Sequence, residues 1–440
     1  MCCLGVEIVG AIERRPERRV VQSSGVSIDS RTLQPGEIFF ALEGERTDGH
    51  RFVRDALEKG AAAAVVHADV AVDDAHNERV IRVEDTLRAL GETARAWRRK
   101  WGGIVIAVTG SNGKTTTREM IYHVLSGAMR CKRSPRSFNT ITGVPLTLLR
   151  AEPEDRALVV ELGTNAPGEI RELANIAEPD IGVITNIAES HLEGLGSIEG
   201  VAEAKGELLD VLPDGAPAFL NADDPWFDGL AERRGGAVKS FGLGPRAAFR
   251  ARAVRSTPGG SWFLVKDAIE VDLPVPGAHN VANAAAALAV AEHMGLSLVA
   301  AAERLRDFRL PPMRYQEETI HGVTVITDCY NANPGSMRAA LRTFAERPAA
   351  GRRVAVLGDM MELGEASERL HAALGADLIR YGLDAVWALG EFAPALTDAA
   401  RRSGLDGAAR CAGSPEDLAT AIRGSVRPGD AILVKGSRGM

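Results

Sequence analysis

The stretch Val108-Thr109-Gly110-Ser111-Asn112-Gly113-Lys114-Thr115-Thr116 decides how this chain is read. It follows the apolar run Ile104–Val108, which reads as a buried strand, and it precedes a helical pattern over Arg118–Leu125. A strand, a glycine-rich turn and Lys-Thr at the mouth of a helix together form a phosphate cradle. Gly110 and Gly113, with Ser111 and Asn112 between them, let backbone N–H groups approach phosphate oxygens. Lys114 can reach β- and γ-phosphates, Thr115 can ligate Mg²⁺, and Thr116 continues the same turn. The turn is a variant, because Val108 stands where the common form has its first glycine. The bland alternative is a tight strand–helix turn with an exposed lysine.

A chain of 440 residues is too long for one core, so two or three domains are expected. Hydrophobic residues make up 45% and charged residues 25%, as in an ordinary soluble globular protein. No run reaches the roughly 18 apolar residues of a membrane span. The start, Met1-Cys2-Cys3-Leu4, has no basic segment leading into an apolar one, so no signal peptide is expected. Five scattered cysteines without metal-ligand spacing suit a reducing, cytoplasmic setting. A net charge of −7 argues against nucleic acid as a partner. Anionic phosphates must then be met by local cations and Mg²⁺.

Three segments differ in pattern. The first, residues 1–100, has short apolar runs (38–42, 61–66 and 80–83), a helical pattern at 52–59, and a charged stretch, Trp97–Trp101, that reads as a hinge. The second, 101–312, alternates strand and helix, with strands expected at 104–108, 157–161, 181–185 and 218–220. That pattern implies a parallel sheet covered by helices, which displays ligands at the carboxyl ends of its strands. Leu310-Pro311-Pro312 is a stiff stop. The third, 313–440, alternates again, with strands expected at 324–328, 354–357, 385–389 and 431–434, and reads as a smaller doubly wound domain.

Several polar groups fall at strand ends. Glu161 is a candidate oxygen ligand for Mg²⁺, although such a residue is as easily a cap. Asn186 and His191 follow the 181–185 strand, and a lone histidine is usually structural. On residue type alone Lys205 reads as a solvated helix lysine. Asn280 and Asn283 share one helix face, where they can bond a base edge or cap the helix. Asp328, Asn331 and Asn333 make a dense polar turn, and the loops 358–364 and 435–439 follow two further strands.

Taken in order, these segments resemble the Mur ligase family, the ATP-dependent amide ligases of peptidoglycan synthesis. The resemblance runs from Asp29 to Arg438. It rests on Thr109–Thr115, Asn139–Thr147, Ala204-Lys205-Gly206, Tyr330–Pro334 and Lys435–Arg438. It implies three α/β domains: a small UDP-binding domain, a central P-loop ATPase with a parallel sheet, and a Rossmann-like ligase domain. Residues Ser30 and Arg31 (in Asp29-Ser30-Arg31) with Thr47 and Asp48 would hold the UDP end of the substrate. Lys114 and Thr115 would meet ATP and Mg²⁺, with Glu161 and His191 at metal positions. Lys205 would be carbamylated beside a second Mg²⁺, which overrides its bland reading. Asn280 and Asn283 would form the adenine pocket, and Arg314 and Asp328 would reach the nucleotide. Asn139 and Thr140 would meet the muramyl peptide, although the family often has paired asparagines there. Asn331, Asn333, Lys435, Ser437 and Arg438 would hold the incoming dipeptide. The implied reaction joins D-Ala-D-Ala to UDP-MurNAc-tripeptide in a cytoplasmic monomer without membrane insertion. Met440 follows directly on the last motif, where relatives usually continue. Rival readings are the sister ligase that adds the third amino acid, whose Asp-Asn-Pro-Arg motif is missing here, a folylpolyglutamate synthase-like ligase, and a non-catalytic nucleotide switch.

Overall fold

The computed structural model describes residues 4–12, 15–44, 47–67, 69–257 and 259–440. Strands β1 (Leu4–Ile12) and β2 (Arg15–Ser23) form an antiparallel hairpin. Strands β3 (Gly25–Ser27), β4 (Glu37–Phe40), β5 (Ala63–Val66) and β6 (Val80–Arg82) form a parallel sheet in that order. Strand alternation divides its apolar residues between two layers. Phe39, Ala64 and Val66 pack on the Val53–Glu58 helix. Ile38, Phe40 and Val65 join the larger core, together with Val6 and Ile8 of the hairpin and Leu90 and Trp97 of the Thr86–Trp101 helix.

The expected hinge at Trp97–Trp101 is instead the last turn of that helix. Asp85 caps its start by accepting from the Leu87 and Arg88 amides, and Gly102, in the left-handed conformation, ends it. Charged residues at helical spacing present a face, and this face is fastened to the middle domain. Trp97 Nε1 donates to Ala151 O at 3.1 Å and Trp101 Nε1 to Asp155 O at 3.1 Å. Buried Arg98 donates to Ala177 O at 3.2 Å and to Asp180 Oδ2 at 2.6 Å. These contacts fasten the first domain to the second.

The middle domain holds β7 (Ile104–Thr109), β8 (Cys131–Arg133), β9 (Ala157–Glu161), β10 (Ile181–Ile184), β11 (Ala218–Asn221), β12 (Val238–Gly242), β13 (Phe249–Thr257), β14 (Gly260–Val265) and β15 (Ile269–Leu273). They form one nine-stranded sheet in the order β15-β14-β13-β12-β11-β10-β7-β9-β8. Pairing is parallel from β8 to β13 and antiparallel among β13, β14 and β15. The antiparallel extension corrects the expectation of a wholly parallel sheet. Its first strand carries a register shift between Arg252 and Arg255 and exposes its outer half, so the sequence shows no clean apolar run there. Val105 to Val108 are fully buried, as a central strand covered on both faces requires. Strand order reverses around β7, so its carboxyl end opens onto the crevice where such sheets bind ligands.

The third sheet contains β16 (Gln316–Ile320), β17 (Val323–Thr327), β18 (Arg353–Gly358), β19 (Ala385–Leu389), β20 (Ala409–Cys411) and β21 (Ala431–Lys435), in the order β16-β17-β21-β18-β19-β20. All neighbours are parallel except the exposed edge strand β16, antiparallel to β17. No helix among the described residues is long and apolar enough to cross a membrane.

Arg98→Met should lower the unfolding free energy by about 1–2 kcal/mol, because it leaves the Ala177 and Glu178 carbonyls without their donor. Denaturant unfolding measures this, and an unchanged midpoint would contradict the fastened seam.

Candidate active site

The turn 110–113 links β7 to the Lys114–Leu125 helix. Gly110 has φ +143°, and a Cβ there would lie 2.0 Å from Thr185 Oγ1. Gly113 is left-handed at φ +79°, and its Cβ would lie 2.6 Å from Asn283 Oδ1. Only glycine fits either place. The end of β10 fixes the turn from below. Asn186 O accepts from Ser111 N at 2.9 Å, and Asn186 Oδ1 accepts from Asn112 N at 2.9 Å. Thr185 Oγ1 donates to Asn112 O at 2.5 Å. Asn186 thus acts as scaffold. The helix has no side-chain cap, so its first amides and its dipole face the crevice.

Lys114 Nζ folds onto its own turn and donates to Gly110 O at 2.7 Å and to Ser111 O at 3.3 Å. Burial pushes its pKa down, Arg314 adds to this, and Glu161 and Glu362 oppose it. Thr115 Oγ1 accepts from Arg314 Nη2 at 2.9 Å. A cavity of about 360 Å³ opens here, lined by Lys114, Thr115, Asn139, Glu161, His191 and Asn331. Thr140 also lines it, and the Thr140 hydroxyl accepts from Gly143 N.

Glu161, 2% exposed, ends β9. Its Oε1 accepts from Asn139 Nδ2 at 2.9 Å and its Oε2 from Arg118 Nη1 at 3.0 Å. Arg118 is a fully buried cation one turn beyond Lys114 that sequence reasoning missed. Its position in an apolar helix pattern was the available signal. His191 has φ +53°, and its Nδ1 stands 2.5 Å from Glu362 Oε2 of the third domain, off the axis of an aligned hydrogen bond. Glu362 was also missed, although it lies in the polar loop 358–364. Its pKa is held down first by His191. Lys205 is 1% exposed on the Ile198–Val211 helix, and desolvation, followed by the charge of Lys114, pushes its pKa well below the ordinary lysine value. The solvated reading of Lys205 is therefore wrong.

A second cavity of about 300 Å³ lies on the other side of the turn, lined by Thr116, Asn280, Asn283, Arg314, Asp328 and Ser336 among others. Asn280 Nδ2 donates to Pro276 O at 2.8 Å, and Asn283 Nδ2 stands 3.4 Å from Asn280 Oδ1. A larger cavity of about 940 Å³ at the joint of the second and third domains contains none of the turn's residues.

The third domain reaches the turn directly. Asn333 caps the Pro334–Glu346 helix and donates through Nδ2 to Asn112 Oδ1 at 2.9 Å. Asn331 lines the first cavity, and Arg438 is exposed. Lys435 and Ser437, expected to hold the dipeptide, are buried and bonded within the protein. Lys435 Nζ, 3% exposed, spends its three N–H groups on Asp328 Oδ2 (2.7 Å), Asp328 O (3.3 Å) and Asn331 O (3.1 Å). Ser437, 4% exposed, accepts from Met361 N at 2.9 Å.

The first-domain residues do not line these two cavities. Arg31 forms a two-pronged pair with Asp29, whose pKa falls to about 2 through the Arg31 hydrogen bond. Ser30 is buried beneath Lys59 Nζ, which donates to its carbonyl at 3.0 Å. Asp48 caps the following turn through His50, and Thr47 is exposed.

Comparison with known proteins bears on this arrangement. Three family profiles match in succession: "Mur ligase family, catalytic domain" over residues 22–98, "Mur ligase middle domain" over 108–291, and "Mur ligase, glutamate ligase domain" over 313–438. The UDP-N-acetylmuramoyl-tripeptide–D-alanyl-D-alanine ligase of Bacillus subtilis is 36% identical over 99% of this chain and 94% of its own length. That of Escherichia coli is 38% identical over 85% and 83%. A crystal structure of MurF from Acinetobacter baumannii superposes with a TM-score of 0.86 at 31% identity, covering 97% of this chain and 92% of that one. The MurF ligase of Thermotoga maritima in complex with ADP gives 0.84 at 29% identity, covering 94% of each. A Mycobacterium tuberculosis folylpolyglutamate synthase shares the fold alone, with 0.60 at 18% identity over 80% of this chain and 92% of that one. From its sequence and its three-domain architecture, the chain belongs to the Mur ligase family.

Proposed function

We infer that this chain is an ATP-dependent carboxylate–amine ligase that joins D-Ala-D-Ala to UDP-MurNAc-tripeptide. The carrying observation is the phosphate turn opening into a cavity that the third domain touches at three points: Arg314 on Thr115, Asn333 on Asn112, and Glu362 on His191. The relatives' names supply the substrates.

The donor set fits Mg²⁺. Among the described residues no three His, Cys, Asp or Glu side chains converge as a complete cage. A Mg²⁺ ion normally takes one or two protein oxygens, with phosphates and water filling the rest of its octahedron. Thr115 Oγ1 and Glu161 would supply those oxygens, with His191 beside them. Bound there, the ion would neutralise charge on the transferring phosphoryl group. Lys205 is buried, and desolvation pushes its pKa well below the ordinary lysine value; as the free amine it would add CO₂ and release a proton, and the resulting carbamate would supply two more oxygens.

In this reading ATP lies along the turn, its triphosphate on the helix amides and its base in the cavity with Asn280 and Asn283. Lys114 leaves the carbonyls of Gly110 and Ser111 to meet the phosphates. The tripeptide carboxylate, held beside Asn139 and Thr140, attacks the γ-phosphorus in line; the β–γ bridging P–O bond breaks and ADP departs. The acyl phosphate then meets the amine of D-Ala-D-Ala at the Asn331 and Arg438 side. The C–N bond forms, the tetrahedral intermediate expels phosphate, and the amine loses a proton. The chain contributes position and preset charge. One chain supplies every element named, which supports a monomer.

The direct test is phosphate release with ATP and UDP-MurNAc-tripeptide, with and without D-Ala-D-Ala. Dipeptide-dependent release is expected; release indifferent to the dipeptide would leave a nucleotide switch as the better reading. Lys114→Ala should lower kcat at least about a hundredfold, and Gly110→Ala should abolish calorimetric binding of a Mg²⁺–ATP analogue, because its Cβ collides with Thr185. Normal values in either would refute the cradle. Lys205→Met should stay folded, since it replaces a desolvated amine with an apolar chain of similar length, yet lose turnover. ¹³C NMR with labelled bicarbonate should show a carbamate carbon in the parent that is missing from the variant. A signal retained in Lys205→Met would contradict the assignment.

A further inference from the structure

The backbone that leads from the middle domain into the third is strained at two residues flanking a functional arginine. Met313 has φ +62° and Tyr315 φ +43°, both left-handed without being glycine. Such residues persist only where their surroundings hold them. Arg314, between them, donates to Thr115 Oγ1 at 2.9 Å and lies 4.2 Å over the Tyr330 ring. Its Nε is buried without a partner, so the side chain is fixed by a single donor and one ring face. Something must keep the bend closed.

The holding contacts come from the third domain. Tyr330 N donates to Met313 O at 3.1 Å, and Tyr315 N donates to Asp328 Oδ1 at 3.2 Å. Asp328 Oδ2 in turn takes Lys435 Nζ at 2.7 Å, with side-chain exposures of 2% for the lysine and 19% for the aspartate. Lys435 also grips Asn331 O, tying the end of β21 to the 328–331 loop. The order of support is Lys435 to Asp328, Asp328 to the Tyr315 amide, and that amide to the bend carrying Arg314.

We propose that Lys435 is a positioning residue: paired with Asp328, it holds the strained 313–315 bend and so keeps Arg314 on the phosphate turn. This reassigns Lys435 from ligand to support, since all three of its donors are spent inside the protein. The inference rests on the nucleotide reading given above. It adds that the loop expected to grip the dipeptide sets the geometry at the phosphates instead.

A double-mutant cycle on the full chain tests it, with Lys435→Met, Arg314→Ala and the pair, each checked for cooperative unfolding. Lys435→Met should lower kcat for phosphate release about tenfold or more, as a small misplacement at the phosphates does, while KM for D-Ala-D-Ala stays within about twofold. In the Arg314→Ala background the same change should cost less than about twofold, because both act through one group. Calorimetry with an ATP analogue should follow the same pattern, with the double variant no weaker than Arg314→Ala alone. If Lys435→Met does not fold, Asp328→Asn replaces it in the cycle, since it keeps an oxygen for the Tyr315 amide and removes the charge pair. A KM for D-Ala-D-Ala raised tenfold at unchanged kcat, or losses that multiply in the double variant, would overturn the proposal. Failure of the parent chain to bind the analogue would sink the nucleotide reading instead, so the two failures are distinguishable.

Discussion

The constraint on which this molecule depends is the lack of space around two glycines. The turn after β7 is pressed onto Thr185 on one side and Asn283 on the other, and neither contact leaves room for a Cβ. That compression has a chemical purpose. It points the amides of a rigid, buried strand–helix junction into the crevice, where an anion can replace the missing helix cap. The sheet supplies the rigidity, since β7 is flanked on both edges and buried on both faces. In the proposed function, the groups that would meet a phosphate are placed by reference to this junction.

The second feature is how many polar groups of the site are engaged within the protein. Lys114 lies on its own carbonyls, Thr115 accepts from Arg314, and both oxygens of Glu161 accept from donors. In the proposed function the Lys114 amine would exchange its two carbonyls for phosphate oxygens, while Glu161, held by Arg118 and Asn139, would keep its orientation toward a cation, so the groups move little. The first domain is bolted on through Arg98 and the two tryptophans, whereas the third touches the turn through a few polar contacts and a strained bend. Motion between open and closed forms is therefore expected at the second joint, not the first.

The sequence carried the fold where burial was complete. The strands at 104–109, 157–161, 181–184 and 385–389 are continuous apolar runs, and they stand within a residue or so of where they were expected. It failed where strands are half exposed: β16 has no buried residue, and β13 is apolar for only part of its length. Trp97–Trp101 looked like a linker because charge at helical spacing resembles charge in a loop until the partner face is known. For the site, local patterns pointed to Lys114 and Thr115, while Lys205 needed the resemblance, since no local pattern reveals that a helix lysine is 1% exposed. Arg118 and Glu362 escaped because their roles come from partners 43 and 171 residues away, taking Glu161 minus Arg118 and Glu362 minus His191. The Lys435 motif was legible in the sequence, but only the structure shows which acceptors its amine has taken.

If the peptide acid attacks the γ-phosphorus, one of its oxygens must leave with the phosphate. The decisive measurement is ³¹P NMR of the phosphate released when UDP-MurNAc-tripeptide carries ¹⁸O in its terminal carboxylate. Transfer of one labelled oxygen to each phosphate is predicted. Unlabelled phosphate formed alongside amide product would contradict an acyl phosphate, and with it the chemistry assigned to this cavity.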